Sequence, residues 1–150
     1  VEKEKLAENI IATDISEVQL NIAKYNQNNI NPNSKINFIT DDFLMSKITD
    51  TFNVIVSNPP YIPVEEIHHL NDLVKNNEPL NALTDGNDGY LFYKQFASYG
   101  YTILEKKGFM LLEIGINNKL DELEKIFRDY DLEIFNDLNQ IPRVIKVYQS

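Results

Sequence analysis

Short apolar runs alternate with longer stretches of helical spacing along this chain, the pattern of an α/β protein. Asn9 to Asp14 predicts a buried strand ending in an acid, and Glu17 to Asn28 a helix with Val18, Ile22 and Tyr25 at helical intervals. Ile36 to Thr40 predicts a second strand, and Phe52 to Ser57, rich in β-branched residues, a third that is again buried. Gly89 to Lys107 predicts one long amphipathic helix, with Leu91, Phe92, Phe96, Tyr99 and Leu104 for its apolar side and Gly108 to end it. A fourth strand is expected at Phe109 to Ile114. Lys119 to Tyr130 then reads as a helix through Leu120, Leu123, Ile126 and Phe127. Leu132 to Phe135 and Val144 to Tyr148 predict an antiparallel ending. No repeat or linker interrupts the pattern, so residues 1–150 are expected to form one domain.

One element is missing from the pattern. A doubly wound nucleotide-binding fold opens with a strand and a Gly-rich turn that cradles its ligand at a helix N-terminus. The chain has five glycines, and none forms such a turn. Either the fold differs or the chain begins after that element, and the remaining sequence favours the second expectation.

Composition narrows the partners. The net charge of −9 disfavours a polyphosphate such as DNA or bulk RNA as the main substrate. The absence of cysteine removes disulfides and thiolate metal sites. No apolar run is long enough to span a bilayer, and Val1 to Lys5 is charged rather than signal-like, so a cytoplasmic location is expected. Asn26 to Asn29 and Asn76-Asn77 read as loop composition without chemistry. His68 and His69 lack partner ligands at metal spacing and read as solvated side chains; no metal site is expected.

The candidate chemistry lies in Ser57-Asn58-Pro59-Pro60-Tyr61-Ile62-Pro63, directly after the third strand. Pro60 forces Pro59 away from helical angles, and neither proline has an N–H to donate. The segment is therefore stiff, extended and rich in acceptors. Asn58 adds a side-chain carbonyl at the strand's C-terminal end, where α/β sheets bind ligands. Tyr61 adds a flat face. Such a set suits a planar group bearing an NH2: Asn58 and the Pro59 carbonyl take its two N–H bonds and Tyr61 packs against its plane. An amide nitrogen is a poor nucleophile because its lone pair is delocalised. Hydrogen bonds that orient it and push electron density onto it help, and its proton can leave after attack.

Asn-Pro-Pro-Tyr after an apolar strand resembles the methyltransferases that act on exocyclic or amide nitrogens. The longer string Val56 to Pro63 resembles the release-factor glutamine N5-methyltransferases. Asn77-Glu78-Pro79-Leu80-Asn81-Ala82-Leu83 and Asp85 to Tyr93 are similar to that family's Glu-Pro block and its Gly-x-x-Gly-Leu-x-x-Tyr helix start. Leu111 to Gly115 is similar to its fifth-strand motif, and Asp137 to Val147, with Arg143-Val144, to its terminal hairpin. The resemblance covers essentially the whole chain. It implies a Rossmann-like class I fold that uses S-adenosyl-L-methionine, incomplete here at its first strand, with a mostly parallel sheet and an antiparallel C-terminal hairpin. The family's N-terminal helical domain and Gly-rich cofactor loop have no counterpart in these residues. Phe43 stands where some members carry tryptophan, and keeps an aromatic face.

The resemblance implies roles for particular residues. Asp14 would accept from the ribose hydroxyls of the cofactor, although it is also placed to cap the helix beginning near Ser16. Asp42 would take the adenine amino group and Phe43 pack on the purine, the alternative being an acidic turn with a core phenylalanine. Asn58, Pro59, Pro60 and Tyr61 would hold the substrate amide, and Asn58 would also touch the methionine end of the cofactor. Glu78 and Pro79 suit a flap over the target glutamine and a structural turn equally. Glu113 reads as a buried, hydrogen-bonded strand residue, and Arg143 as a partner for an acid in the site or at the sheet edge.

The expected reaction is methyl transfer to a glutamine side chain in the Gly-Gly-Gln loop of peptide chain release factors. The rivals are a ribosomal-protein glutamine methyltransferase, an adenine-N6 or guanine methyltransferase acting on a flipped base, and a fragment incompetent for catalysis that self-associates through uncovered strand edges.

Overall fold

The computed structural model describes residues 9–33, 35–116 and 118–148. The chain divides between Lys47 and Ile48 into two compact units.

The first unit is a β-α-β arrangement. Strand β1 (Ile10–Asp14) leads through helix α1 (Glu17–Ile30) to strand β2 (Ile36–Thr40), which pairs with β1 in parallel from Ile10↔Ile36 to Asp14↔Thr40. Parallel pairing needs a crossover connection, and α1 supplies it. Ser16 caps the helix, its hydroxyl accepting from the Gln19 amide at 3.4 Å. The register brings the C-terminal ends of both strands together, and the Asp41 amide donates to the Asp14 carbonyl at 3.1 Å. The one helical residue deeply buried is Leu20. Val18, Ile22 and Tyr25, whose spacing suggested the helix, lie 67%, 49% and 69% exposed, so this apolar stripe faces away from the two strands.

The second unit carries a four-stranded sheet in the order β3-β4-β6-β5, built from β3 (Phe52–Ser57), β4 (Leu104–Glu113), β5 (Asp131–Asn136) and β6 (Pro142–Tyr148). β3 and β4 are parallel, whereas β6 runs antiparallel to both β4 and β5, giving the expected terminal hairpin. Period-2 alternation places Met110 and Leu112 on one face of β4, each fully buried, with Ile145 and Val147 of β6 beside them. Helix α4 (Leu91–Gln95) adds Tyr93 and, in the π-helical turn Phe96–Gly100 that continues it, Phe96. Helix α5 (Leu120–Ile126), which packs on α4, contributes the buried Leu123 and is followed by the buried Phe127. Two short helices, α2 (Asp72–Asn77) and α3 (Leu80–Leu83), lie in the long β3-to-α4 connection.

Two expectations are corrected. Helical structure does not run from Gly89 to Lys107: it ends at Thr102, and the chain enters β4 at Leu104. Ile103 and Leu104 are buried and Leu104 pairs with Phe52, so sheet pairing overrides the helical periodicity there. Between the Leu104↔Phe52 and Phe109↔Val54 pairs the strand bulges, and Gly108 lies inside it: a Cβ there would sit 2.8 Å from the Asn53 carbonyl oxygen. Nor is β3 a fully buried strand, because Val54 is 44% and Val56 70% exposed. Among the described residues β3 has a ladder partner on one side only.

Tyr130 ties the helical layer together, its hydroxyl donating to the Ala97 carbonyl at 2.7 Å. Burial first, and the neighbouring Tyr101 and Asp129 next, push this phenol up from 10.0 to about 12. The unfolded chain ionises it near pH 10.0 while the folded chain does not, so the contribution is complete below that pH and disappears toward pH 12. Urea midpoints measured across this alkaline window are expected to fall more steeply for the wild type than for Tyr130→Phe; equal slopes would contradict the assignment.

Candidate active site

At the C-terminal end of β3 the chain turns into Asn58-Pro59-Pro60-Tyr61. Pro59 is buried, Pro60 and Tyr61 are half-buried, and Asn58 is exposed. The prolines have no N–H, so the segment cannot continue the ladder, and its backbone next bonds at Ile62, whose amide donates to the Leu83 carbonyl at 3.0 Å. Val64 follows, donating to the Asn87 carbonyl at 3.0 Å. Among the described residues no donor reaches the Asn58 side-chain oxygen or the Pro59 carbonyl. Two acceptors at the strand end are thus without a donor among the described residues.

The 84–91 segment grips this loop from one side. Asp85 organises it: one carboxylate oxygen accepts from the amides of Asn87 at 2.8 Å and Gly89 at 3.1 Å, and the other from Leu91 at 2.8 Å. An acid at the start of α4 satisfies amides that the helix leaves unpaired. Gly86 and Gly89 take left-handed φ values of 77° and 82°. Gly89 meets a second constraint, because a Cβ there would run into the Tyr61 carbonyl oxygen. Asp88 accepts from Tyr90 and pairs with Lys94 at 3.0 Å, and the hydrogen bond from that ammonium lowers its carboxyl below the usual range.

The end of β4 forms the other side. The parallel register places Ser57 beside Leu112, so Asn58 and Glu113 leave adjacent strands at the same level. Tyr93, fully buried on α4, donates its hydroxyl to the Glu113 carbonyl at 2.7 Å, tying helix to strand end. A Cβ at Gly115 would stand 2.7 Å from Cδ2 and 2.9 Å from Cε2 of Tyr61, so only glycine leaves room for the ring. The Gly115 amide is turned onto the Asn118 side-chain oxygen at 2.7 Å. Tyr61 donates its hydroxyl to a Glu113 carboxylate oxygen at 3.3 Å. Burial, then the Glu113 charge and this hydrogen bond, push the Tyr61 phenol above its ordinary range, and Arg143 works weakly against them.

In the first unit, Asp14 and Asp42 each spend one oxygen on a local turn. Asp14 accepts from the Ser16 amide at 2.7 Å and Asp42 from the Leu44 amide at 3.0 Å, capping the 3-10 turn Phe43–Met45. Ser16, not Asp14, therefore caps α1, and the acidic turn read at Asp42 is present with Phe43 half-buried rather than in the core; the second oxygen of each carboxylate has no partner among the described residues. The preceding Asp41 carries a buried Oδ2 without a partner. Burying a carboxylate oxygen undonated is costly, and an N–H or O–H of a bound molecule would relieve it. Carboxylates grouped at the C-terminal ends of parallel strands fit a ligand rich in hydroxyl and amino donors.

The other sequence candidates resolve simply. Arg143 pairs with Asp137 at 3.3 Å across the β5–β6 turn, the structural alternative of the two. Burial does not touch His68 and His69, which are exposed in the turn Val64–His69. Glu78 is the exposed residue that ends α2, ahead of Pro79 at the start of α3. Asp85, Gly89 and Gly115 were missed as parts of the site. Only the Asp-Gly-x-x-Gly string hinted at a special backbone; the meeting of Gly115 with Tyr61 is purely tertiary.

Comparison with known proteins places these features. Over 95% of the chain the fold matches a methyltransferase from Pyrococcus furiosus, with TM-score 0.64, 17% identity and 63% of that chain covered. It also matches a protein-(glutamine-N5) methyltransferase, described as release factor-specific, from Alicyclobacillus acidocaldarius, with TM-score 0.51 and 19% identity over 99% of this chain and 86% of that one. The fold is that of the class I S-adenosylmethionine-dependent methyltransferases. A family model, Eco57I restriction-modification methylase, matches residues 2–149, and the chain belongs to that family. It is 36% identical over 141 residues to the release factor glutamine methyltransferase of Bacillus subtilis, covering 91% of this chain and 48% of the relative. The counterpart from Fusobacterium nucleatum is 37% identical over 150 residues, covering 97% and 42%. The chain thus spans about half the length of the curated relatives it matches.

The two left-handed glycines give a direct check on the site's packing. Gly86 has nothing within 4 Å of its absent Cβ, so Gly86→Ala bears only the left-handed strain, about 1 kcal/mol. Gly89→Ala adds the collision with Tyr61, and its loss in chemical denaturation is expected to exceed that of Gly86→Ala by at least about 1 kcal/mol. Equal losses would mean that the Gly89–Tyr61 approach is relaxed in solution.

Proposed function

We propose that this chain carries the catalytic machinery of an S-adenosyl-L-methionine-dependent methyltransferase that modifies the side-chain amide nitrogen, N5, of a glutamine in a protein. Its substrates on this reading are peptide chain release factors, and its place is the cytoplasm. The observation that carries the chemistry is the pair of undonated acceptors, Asn58 and the Pro59 carbonyl, held beside the half-buried Tyr61 ring. The relatives named as release factor glutamine methyltransferases support the substrate. The 150 residues act as one catalytic domain.

The cofactor supplies a methyl group on a positively charged sulfur, electrophilic enough for a weak nucleophile. The residues present fit its other groups: Asp14 takes ribose hydroxyls with its spare oxygen, Asp42 takes the adenine amino group, and Phe43 offers the purine a face. The partnerless oxygen of Asp41 adds a further acceptor beside Asp42.

On the substrate side the work is positioning. Asn58 Oδ1 and the Pro59 oxygen accept the two amide N–H bonds, fixing the nitrogen's lone pair in direction and raising its electron density. Pro59 and Pro60 keep those acceptors from turning inward to satisfy a strand. Tyr61 holds the plane of the carboxamide. No strong base is needed, because the proton becomes acidic only as the new N–C bond forms. Orientation of this kind can account for much of a rate enhancement.

The family's own description speaks of restriction-modification, so DNA is the second substrate to offer. Labelled methyl transfer is measured with the full-length protein, using release factor, ribosomal protein and DNA side by side. Label on a release-factor glutamine is expected, falling at least about a hundredfold in Asn58→Ala, as when a precisely placed polar group is removed from an active site. Label on DNA alone would overturn the reading.

A further inference from the structure

Tyr61 is held at three points, one on its backbone and two on its ring, by groups the methylation chemistry does not itself require. Gly89 abuts its carbonyl, Gly115 abuts its ring edge, and Glu113 accepts from its hydroxyl at 3.3 Å. Glu113 is itself anchored. Its strand pairs with β3 and β6, and its carbonyl accepts the buried Tyr93 hydroxyl at 2.7 Å. A half-buried carboxylate at a strand end, with no salt-bridge partner among the described residues, is an expensive choice for purely structural packing. Arg143, a cation that bears on this phenol, is committed to Asp137.

We propose that Glu113 is a positioning residue: by holding the Tyr61 hydroxyl it fixes the rotation of the ring against which the substrate amide lies. The inference rests on the proposed amide-methylation site for its functional consequence, but the Glu113–Tyr61 pairing stands on geometry alone. A tyrosine ring turns about χ2 with little resistance unless its hydroxyl or its edges are held. Gly115 restrains one edge by contact, and Glu113 sets the tip by direction. The hydrogen-bond acceptor, not the negative charge, does the positioning, so glutamine at this place retains the function and leucine does not.

The experiment uses the full-length enzyme with S-adenosylmethionine and release factor. Glu113→Leu is expected to lower kcat about tenfold, the worth of one well-placed hydrogen bond, while Kd for S-adenosylmethionine stays within about twofold. Glu113→Gln restores kcat to within about threefold of wild type, since a carboxamide oxygen still accepts. In a Tyr61→Phe background, where no hydroxyl remains to be held, Glu113→Leu costs less than about twofold. A tenfold loss that persists in that background, or one that glutamine does not rescue, overturns the proposal. Carbon-13 labelling at tyrosine Cζ supplies a readout independent of turnover: the Tyr61 phenol, assigned with Tyr61→Phe, should titrate at lower pH in both Glu113 variants. Glu113 and Arg143 bear on this phenol directly and Tyr93 lies close enough to feel it, and only the first is changed. An unmoved phenol overturns the pairing even if no methyl transfer to glutamine is found, whereas a moved phenol without transfer overturns the substrate reading and leaves the pairing standing.

Discussion

The site depends on how a segment that cannot make strand hydrogen bonds is held at a strand's end. Two prolines remove two donors, so the Asn58–Tyr61 loop has no ladder to hold it. What holds it is close contact: a glycine against the Tyr61 carbonyl, a second glycine against the Tyr61 ring, and the Ile62 and Val64 amides bonded into the Leu83–Asn87 stretch. The rigidity of the loop is therefore borrowed from its neighbours. Asp85 is the organiser of that support, since three amides converge on one carboxylate and set the two left-handed glycines in place. This support leaves the loop's own acceptors at Asn58 and Pro59 without a donor among the described residues.

The second unit supplies that frame through ordinary packing. One face of β4 is buried together with its β6 neighbours, and Met110, Leu112, Ile145, Val147, Leu123 and Phe127 are all but inaccessible. Its last residue, Glu113, emerges from this core with Ile114 and Gly115 after it, and Tyr93 pins the Glu113 carbonyl from the helical layer. Precision at the strand end follows from the density of the core behind it. In the first unit the same rule of α/β sheets operates on a smaller scale: parallel β1 and β2 end together, and three aspartates gather at that end.

Much of this was legible in the sequence. The strands at Ile10–Asp14, Ile36–Thr40 and Phe52–Ser57 and the terminal hairpin follow from short apolar runs, and Asn-Pro-Pro-Tyr announces its own stiffness. The long helix over 89–107 was misread because Phe96, Tyr99 and Leu104 keep helical spacing across a boundary that sheet pairing decides; Leu104 belongs to Phe52 across the sheet, not to Gly100 along a helix. The apolar stripe of α1 marked the helix correctly but not its buried face, because only Leu20 packs inward on a unit with two strands. Gly115 and Glu113 could not be linked to Tyr61 from the sequence at all. Their meeting depends on a parallel register across strands some fifty residues apart, the Tyr61–Glu113 separation being 52.

The most direct measurement is the structure of the full-length protein with S-adenosylhomocysteine and a peptide carrying Gly-Gly-Gln. The account predicts the glutamine NH2 within hydrogen-bond distance of both Asn58 Oδ1 and the Pro59 oxygen, its plane against a Tyr61 ring whose hydroxyl still points to Glu113. A glutamine bound elsewhere, or an amide in that place turned with its oxygen toward Asn58 and Pro59, would contradict it.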